Sequence, residues 1–149
     1  SGLQLFDTWA GTLDRDSFQA FSADYLTYII QNLKNPENIP VTVFCKNSSI
    51  FYPQLQTTGA NVISLDWHVP LIETKQKLPE TIAVQGNLDP YMLFGDEATV
   101  LSAVDKLLSD FKDKTGFIFN LGHGILPDIN PDLVQKVIER IQHPVYTRT

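Results

Sequence analysis

The sequence predicts an α/β chain built on a parallel sheet, and three observations carry that prediction. Five short apolar, β-prone runs recur along the 149 residues. Segments with helical period separate them, and polar or glycine-bearing residues cluster just after each run. The runs are dense in Val, Ile, Leu and Phe, as strands are when helices cover a sheet.

The first strand is predicted at residues 3–6. In the segment after it, Phe18, Phe21, Tyr25, Tyr28, Ile29 and Leu33 fall at helical spacing, which predicts one buried face, with Asn35-Pro36 as the stop. The second strand, 41–45, leads to a short helical segment over 49–59, where Gly59 suits a helix end. The third strand, 62–65, is followed by a segment that opens at Pro70 and fades at Leu78-Pro79. The fourth, 82–84, precedes the clearest helix. Asp96 is its N-cap, and Val100, Val104, Leu107, Leu108 and Phe111 make its apolar stripe. The fifth, 117–120, precedes a helix capped by Asn130 with Pro131 at its first position, whose stripe is Val134, Val137, Ile138 and Ile141.

Strand starts lie 38, 21, 20 and 35 residues apart (3 to 41, 62, 82 and 117) with no shared letter pattern, so the chain is not a short-period repeat array. A closed eight-stranded α/β barrel takes roughly 250 residues. Five strands can make an open doubly wound sheet or just over half a barrel, and a half-barrel leaves two bare strand edges. The chain starts at Ser1-Gly2 without Met and enters a strand-like run at once, which reads as a piece of something larger.

Lys and Arg number 11 against 17 Asp and Glu, giving a net charge of -6, which disfavours nucleic-acid binding through a basic surface. No apolar run approaches the roughly 18 residues of a membrane helix, and no signal-peptide pattern opens the chain. Cys45 is the one cysteine, so an internal disulfide and a cysteine-cluster zinc site are both excluded. A cytoplasmic, reducing compartment is the expectation.

In parallel α/β folds the strand carboxyl ends carry the chemistry. At those ends stand Asp7-Thr8-Trp9, Lys46-Asn47, Asp66-Trp67-His68, Asn87-Leu88-Asp89 and Gly122-His123-Gly124. Glycines on both sides of His123 let backbone pass close to a ligand and hold the imidazole on a tight, uncrowded turn. That ring can donate to a carboxylate, although a plain loop histidine fits the same spacing. Thr8 offers a hydroxyl to an acidic group, while Asp7 or Thr8 as a turn cap fits equally. Residues 85–90 (QGNLDP) have the composition of a turn, with Asp89-Pro90 starting a helix or turn. Asp66-Trp67-His68 reads as a strand end with a partly buried aromatic, and Cys45 as a small buried thiol. His143-Pro144 falls in a tail, and Glu139 and Arg140 on a solvated helix face. Phosphate loops, nucleophile elbows and His-Glu-x-x-His zinc motifs are absent from the sequence.

Residues 3–11 (LQLFDTWAG), 84–90 (VQGNLDP) and 119–125 (FNLGHGI) together resemble the uroporphyrinogen decarboxylase family. Phe44-Cys45-Lys46, Leu65-Asp66-Trp67 and the helix after Asn130-Pro131 extend the resemblance, in the same order, over nearly the whole chain. The resemblance implies the C-terminal portion, about five βα units, of a (β/α)₈ TIM-type barrel, with the strands here as the fourth through eighth. It implies decarboxylation of the four acetate side chains of uroporphyrinogen to coproporphyrinogen in haem and chlorophyll biosynthesis. It also implies no cofactor, no metal and a homodimer.

By position, His123 matches the family's substrate-binding histidine, and Thr8 matches a hydroxyl residue that contacts a substrate carboxylate. The family's arginine-bearing N-terminal segment, its central aspartate and a substrate-binding tyrosine would all lie upstream of Ser1. The isolated chain is therefore expected to be inactive. Its arginines are Arg15, Arg140 and Arg148, and none follows a strand on the predicted rim. A zinc-dependent corrinoid-to-thiol methyltransferase of the same fold would need a His-x-Cys pair and a later cysteine, where this sequence has Phe44-Cys45-Lys46 and no second cysteine. A non-catalytic half-barrel that self-associates through its strand edges is the other reading. A flavodoxin-like module would want a phosphate loop after its first strand, where 7–11 supplies one glycine.

Overall fold

The computed structural model describes residues 2–35 and 37–146. Pro36 of the expected Asn35-Pro36 stop, Ser1 of the chain start and Arg148 lie outside the described residues. Five strands pair in parallel in the order β1-β2-β3-β4-β5: Leu3–Asp7, Val41–Cys45, Val62–Ser64, Ala83–Leu88 and Phe117–Leu121. Strictly sequential order is that of consecutive units of an α/β barrel. Doubly wound sheets reverse direction at a switch point, and this one does not.

The pleat sorts side chains onto two faces. Leu5, Val43, Cys45, Ile63, Leu65 and Val84 point to the helical layer and form the main core with Phe18, Leu26, Leu55 and Leu71. A second core joins Leu88, Phe119 and Leu121 to Val100, Val104, Leu133 and Val137. The alternate residues, among them Gln4, Phe6, Phe44, Ser64, Gln85, Ile118 and Asn120, line the other face in register. Phe6 and Ile118 are exposed there.

That face is concave. In a flat sheet β1 and β4 would stand about 14 Å apart, three spacings of about 4.8 Å. The Gln85 Nε2 of β4 nevertheless reaches the Gln4 Oε1 of β1 at 3.5 Å, and it also donates to Ser64 Oγ at 3.2 Å. The sheet curls away from its helices, as a barrel wall does.

The helices follow their caps. Asp96 accepts from the Thr99 amide at 3.0 Å and the Thr99 hydroxyl at 2.7 Å to open α5 (Glu97–Asp110), and these bonds hold its carboxyl below the usual range. Asn130 accepts from the Asp132 amide at 2.9 Å, with Pro131 at the first position of α6 (Pro131–Gln142). Along α6 the buried residues are Leu133 and Val137, whereas Ile138 of the expected stripe is exposed. The segment expected over 49–59 yields a 3₁₀ turn (Ser49–Phe51) and one helical turn, α3 (Tyr52–Leu55); Gly59 follows it with φ +86°. The helix α4 spans Leu71–Lys77.

Two further expectations are corrected. Residues 85–87 are strand, since β4 runs on to Leu88. Only Asp89-Pro90 turns, with Asp89 accepting from the Tyr91 amide at 2.9 Å to open a 3₁₀ segment. The first helix also buries a different face from the expected one. It comprises α1 (Arg15–Phe18), a π-helical stretch (Gln19–Ala23) and α2 (Asp24–Asn32). Phe18, Ser22, Ala23 and Leu26 are buried, with Ile30 packed beside them, while Phe21, Tyr25, Tyr28 and Ile29 are exposed. A π turn takes more residues than an α turn and so rotates the following helix relative to Phe18. Small Ser22 and Ala23 then let the backbone approach the sheet, where Ser22 Oγ lies 3.9 Å from Cys45 Sγ.

This assignment of faces predicts unequal costs for two phenylalanines in one helix. Phe18→Ala should destabilise the fold by about 3–5 kcal/mol. Phe21→Ser should change stability by less than about 0.5 kcal/mol. Urea unfolding midpoints read both; a Phe21 cost equal to that of Phe18 would restore the face expected from periodicity.

Candidate functional site

The strand carboxyl ends converge on a cleft of about 230 Å³ on the concave face. Both edges of the sheet line it, Gln4 and Phe6 from β1 and Asn120 from β5, with Phe44, Ser64 and His123 between them. The half-buried His123 ring lies 6.1 Å from that of Phe44 at 60°, and Phe6 meets Phe44 edge-on at 6.1 Å. The imidazole therefore has an aromatic floor and an open side, an arrangement suited to a polar group carried on a flat, partly apolar ligand.

Close backbone approach holds this rim together. A Cβ on Gly122 would fall 2.7 Å from Trp67 Cε3 and 2.9 Å from the Trp67 amide nitrogen. One on Gly86, whose φ is +136°, would fall 2.6 Å from the Leu65 carbonyl oxygen. Asn87 Nδ2 donates to the carbonyls of Asp66 at 2.8 Å and Val69 at 2.7 Å, tying the turn after β3 to β4. The glycine before His123 thus serves contact between strand ends. The glycine after it, Gly124, has open space where a Cβ would stand, so packing does not require it.

Thr8 is exposed in the bend after β1, two residues beyond Phe6, and does not line the cleft. His123 and Thr8 therefore share the rim, with His123 alone in the cleft wall. Asp7 pairs with Cys45 in register. The Cys45 thiol is 2% exposed, and burial pushes its pKa up to about 11, which makes it the inert buried thiol expected.

Asp66 and His68, read from the sequence as part of a plain strand end, form a pair on the rim. Asp66 is 1% exposed, and its Oδ1 accepts from the His68 amide at 3.0 Å and lies 2.8 Å from His68 Nδ1. Its Oδ2 is buried without a partner among the described residues. The signal was the Asp-x-His spacing after a strand, where an aspartate accepts from the backbone amide two residues on and so closes a turn. Trp67 stacks on His68 at 5.1 Å and meets Tyr91 edge-on at 6.1 Å.

Larger hollows, of about 790 and 450 Å³, lie in the helical layer around α5. The first carries the Arg140–Asp105 ion pair at 2.5 Å and the second reaches His68 from outside. Neither shares a lining residue with the cleft. Among the described residues no helix is long and apolar enough to cross a membrane.

Sequential parallel strands, helices on one side and a cleft at the strand carboxyl ends define this chain as part of a barrel-type α/β protein. A family model described as uroporphyrinogen decarboxylase (URO-D) matches residues 1–143, and the chain belongs to that family. Two curated uroporphyrinogen decarboxylases illustrate the likeness. That of Ruthia magnifica is 38% identical over 140 residues, covering 92% of this chain and 40% of its own. That of Protochlamydia amoebophila is 40% identical over 140 residues, covering 94% and 38%. The chain thus spans about two fifths of the length of these relatives. Among solved structures, a methyltransferase from Methanosarcina mazei superposes with a TM-score of 0.78 at 16% identity, covering 94% of this chain and 41% of that one. At that identity it shows a shared fold.

If contact with Trp67 is what Gly122 provides, Gly122→Ala should destabilise the protein by about 1–3 kcal/mol. Gly124→Ala should stay within about 0.5 kcal/mol of wild type. Thermal melts of the two variants check the contrast, and equal effects would remove Trp67 from the explanation.

Proposed function

We propose that this chain forms part of a uroporphyrinogen decarboxylase and supplies the wall of the substrate site on which Thr8 and His123 hold carboxylates of uroporphyrinogen. The observation that carries the reading is the match of the family model over residues 1–143. Support also comes from the chemistry of the cleft. A flat tetrapyrrole with apolar rings and a carboxylated periphery suits an aromatic floor, Phe6 and Phe44, beside an imidazole donor.

Decarboxylation of an acetate arm needs an electron sink. Protonation of the pyrrole ring supplies one. The bond between the methylene and the carboxylate then breaks, its electrons move into the ring, and carbon dioxide leaves. Protonation of the exposed methylene carbon gives the methyl group, and the ring returns its proton. Donors that meet developing charge lower the barrier. His123 and Thr8 orient peripheral carboxylates in this scheme, while the decisive proton and the arginine clamps come from the family's upstream segment. The 149 residues alone are therefore inactive. No cofactor or metal takes part, and the working enzyme is a cytoplasmic homodimer.

A second reading, a self-associating half-barrel, draws support from Phe6, 67% exposed on the concave face, and Ile118, 44% exposed. It describes the physical state of the isolated chain, and the decarboxylase reading describes the protein it serves.

The test uses a complemented enzyme, in which this chain is joined to the remaining part of the Ruthia magnifica relative. His123→Asn should lower kcat/KM for uroporphyrinogen by about 10-fold to 100-fold, the loss of one charge-assisted hydrogen bond, and leave measurable turnover. Abolished turnover with unchanged substrate affinity would instead make His123 the proton-transfer group.

A further inference from the structure

We infer that Lys46 is a carboxylate-binding residue of this site, paired with Thr8 at the end of β1 and β2; the inference deepens the decarboxylase reading and rests on it. The sheet register brings the two together. Leu3 to Asp7 of β1 pair one-to-one with Val41 to Cys45 of β2, the last pair being Asp7 with Cys45. Thr8 and Lys46 are the residues that directly follow this last pair, at the adjoining ends of two neighbouring strands.

The pleat then sets the side. Phe44 faces the concave cleft, where His123 lies over it, and Cys45 faces the helices, where it meets Ser22. Lys46 opens the turn after β2, where continued alternation would put it on the Phe44 side. Its backbone is held firmly. A Cβ on Gly11 would fall 2.1 Å from the Lys46 carbonyl oxygen, so the turn after β1 packs directly on Lys46, and Ser48 Oγ donates to the Cys45 carbonyl at 2.6 Å.

Charge supports the assignment. An octacarboxylate needs cationic donors at the mouth, and the chain is acidic overall, at -6. Every other lysine and arginine of the described residues belongs to a helix or to the turn that leaves one, in the outer layer. Lys75 is spent on the Ile82 carbonyl, Lys114 on the Asp110 carbonyl, Lys136 on Glu97 and Arg140 on Asp105. Lys46 is half-buried, and among the described residues its ammonium has no hydrogen bond or ion pair. Among the described residues it is the cation that follows a strand and stands uncommitted.

Lys46→Met and Lys46→Arg in the complemented enzyme test this, with turnover of uroporphyrinogen and binding of the fluorescent octacarboxylate uroporphyrin as separate readouts. Lys46→Met should raise the uroporphyrin Kd and the KM about 10-fold or more, the worth of one charged hydrogen bond, with kcat within about 2-fold. Lys46→Arg should recover most of the affinity. Lys106→Met, a change on the outer face of α5, should leave both constants unchanged. Tm should stay near the wild-type value in every variant, since the Lys46 ammonium makes no hydrogen bond or ion pair among the described residues. An unchanged uroporphyrin Kd in Lys46→Met overturns the inference, as does a loss confined to kcat. The decarboxylase reading fails separately, if the unsubstituted complemented enzyme does not turn over uroporphyrinogen.

Discussion

The rest of this structure depends on how closely the ends of β3, β4 and β5 approach one another. Gly86 sits against the Leu65 carbonyl, Gly122 against Trp67, and Asn87 bridges the carbonyls of Asp66 and Val69. Each contact is possible because a side chain is missing or because one amide satisfies two acceptors. Together they draw the turns after three strands into one rigid rim. His123 inherits its position from that rim, since its neighbour Gly122 is pinned on Trp67 and its ring settles on Phe44. Preorganisation of this kind leaves a binding group little freedom to lose when a ligand arrives.

Curl and pleat carry the remaining logic. The pleat divides every strand between a helical side rich in aliphatic residues and a concave side that carries Gln4, Ser64, Gln85 and Asn120 along with two aromatics. Curl, seen in the Gln85–Gln4 contact between β4 and β1, turns that second side into a cleft whose walls come from both sheet edges, β1 and β5. A fold that buries one face against helices thereby leaves the other for a ligand. Of the larger hollows, one lies along α5 beside Arg140 of α6, and the other runs from α4 and α5 to the turns after β3 and β4; neither shares a lining residue with the cleft.

Much of this was legible in the residues. Asp96 and Asn130 as caps, the stripe of α5 and the starts of all five strands to within a residue follow from local rules, because caps and strand composition act at short range. The buried face of the first helix was not legible. Its aromatics sit at helical spacing, but the π turn shifts the phase and small residues take the sheet contact, a choice that only tertiary packing makes. Residues 85–87 look like a turn because Gly and Asn are turn residues, yet here they serve a close strand crossing. At the site, the glycine–histidine–glycine segment pointed to His123, although only one glycine is needed by packing. The Asp66–His68 pair is a local turn contact whose spacing shows in the sequence while the burial of Asp66 does not, and the placement of Lys46 next to Thr8 depends on strand register, which no local pattern encodes.

The account's central claim is that these residues form a substrate-binding wall completed by the rest of a decarboxylase. Chromatography of the products formed from uroporphyrinogen, by the 149-residue chain alone and by the complemented enzyme, tests it most directly. The account predicts coproporphyrinogen from the complemented enzyme and none from the chain alone. Coproporphyrinogen from the chain alone would contradict it, because the chemistry would then have to run on His123, Thr8 and a self-assembled site.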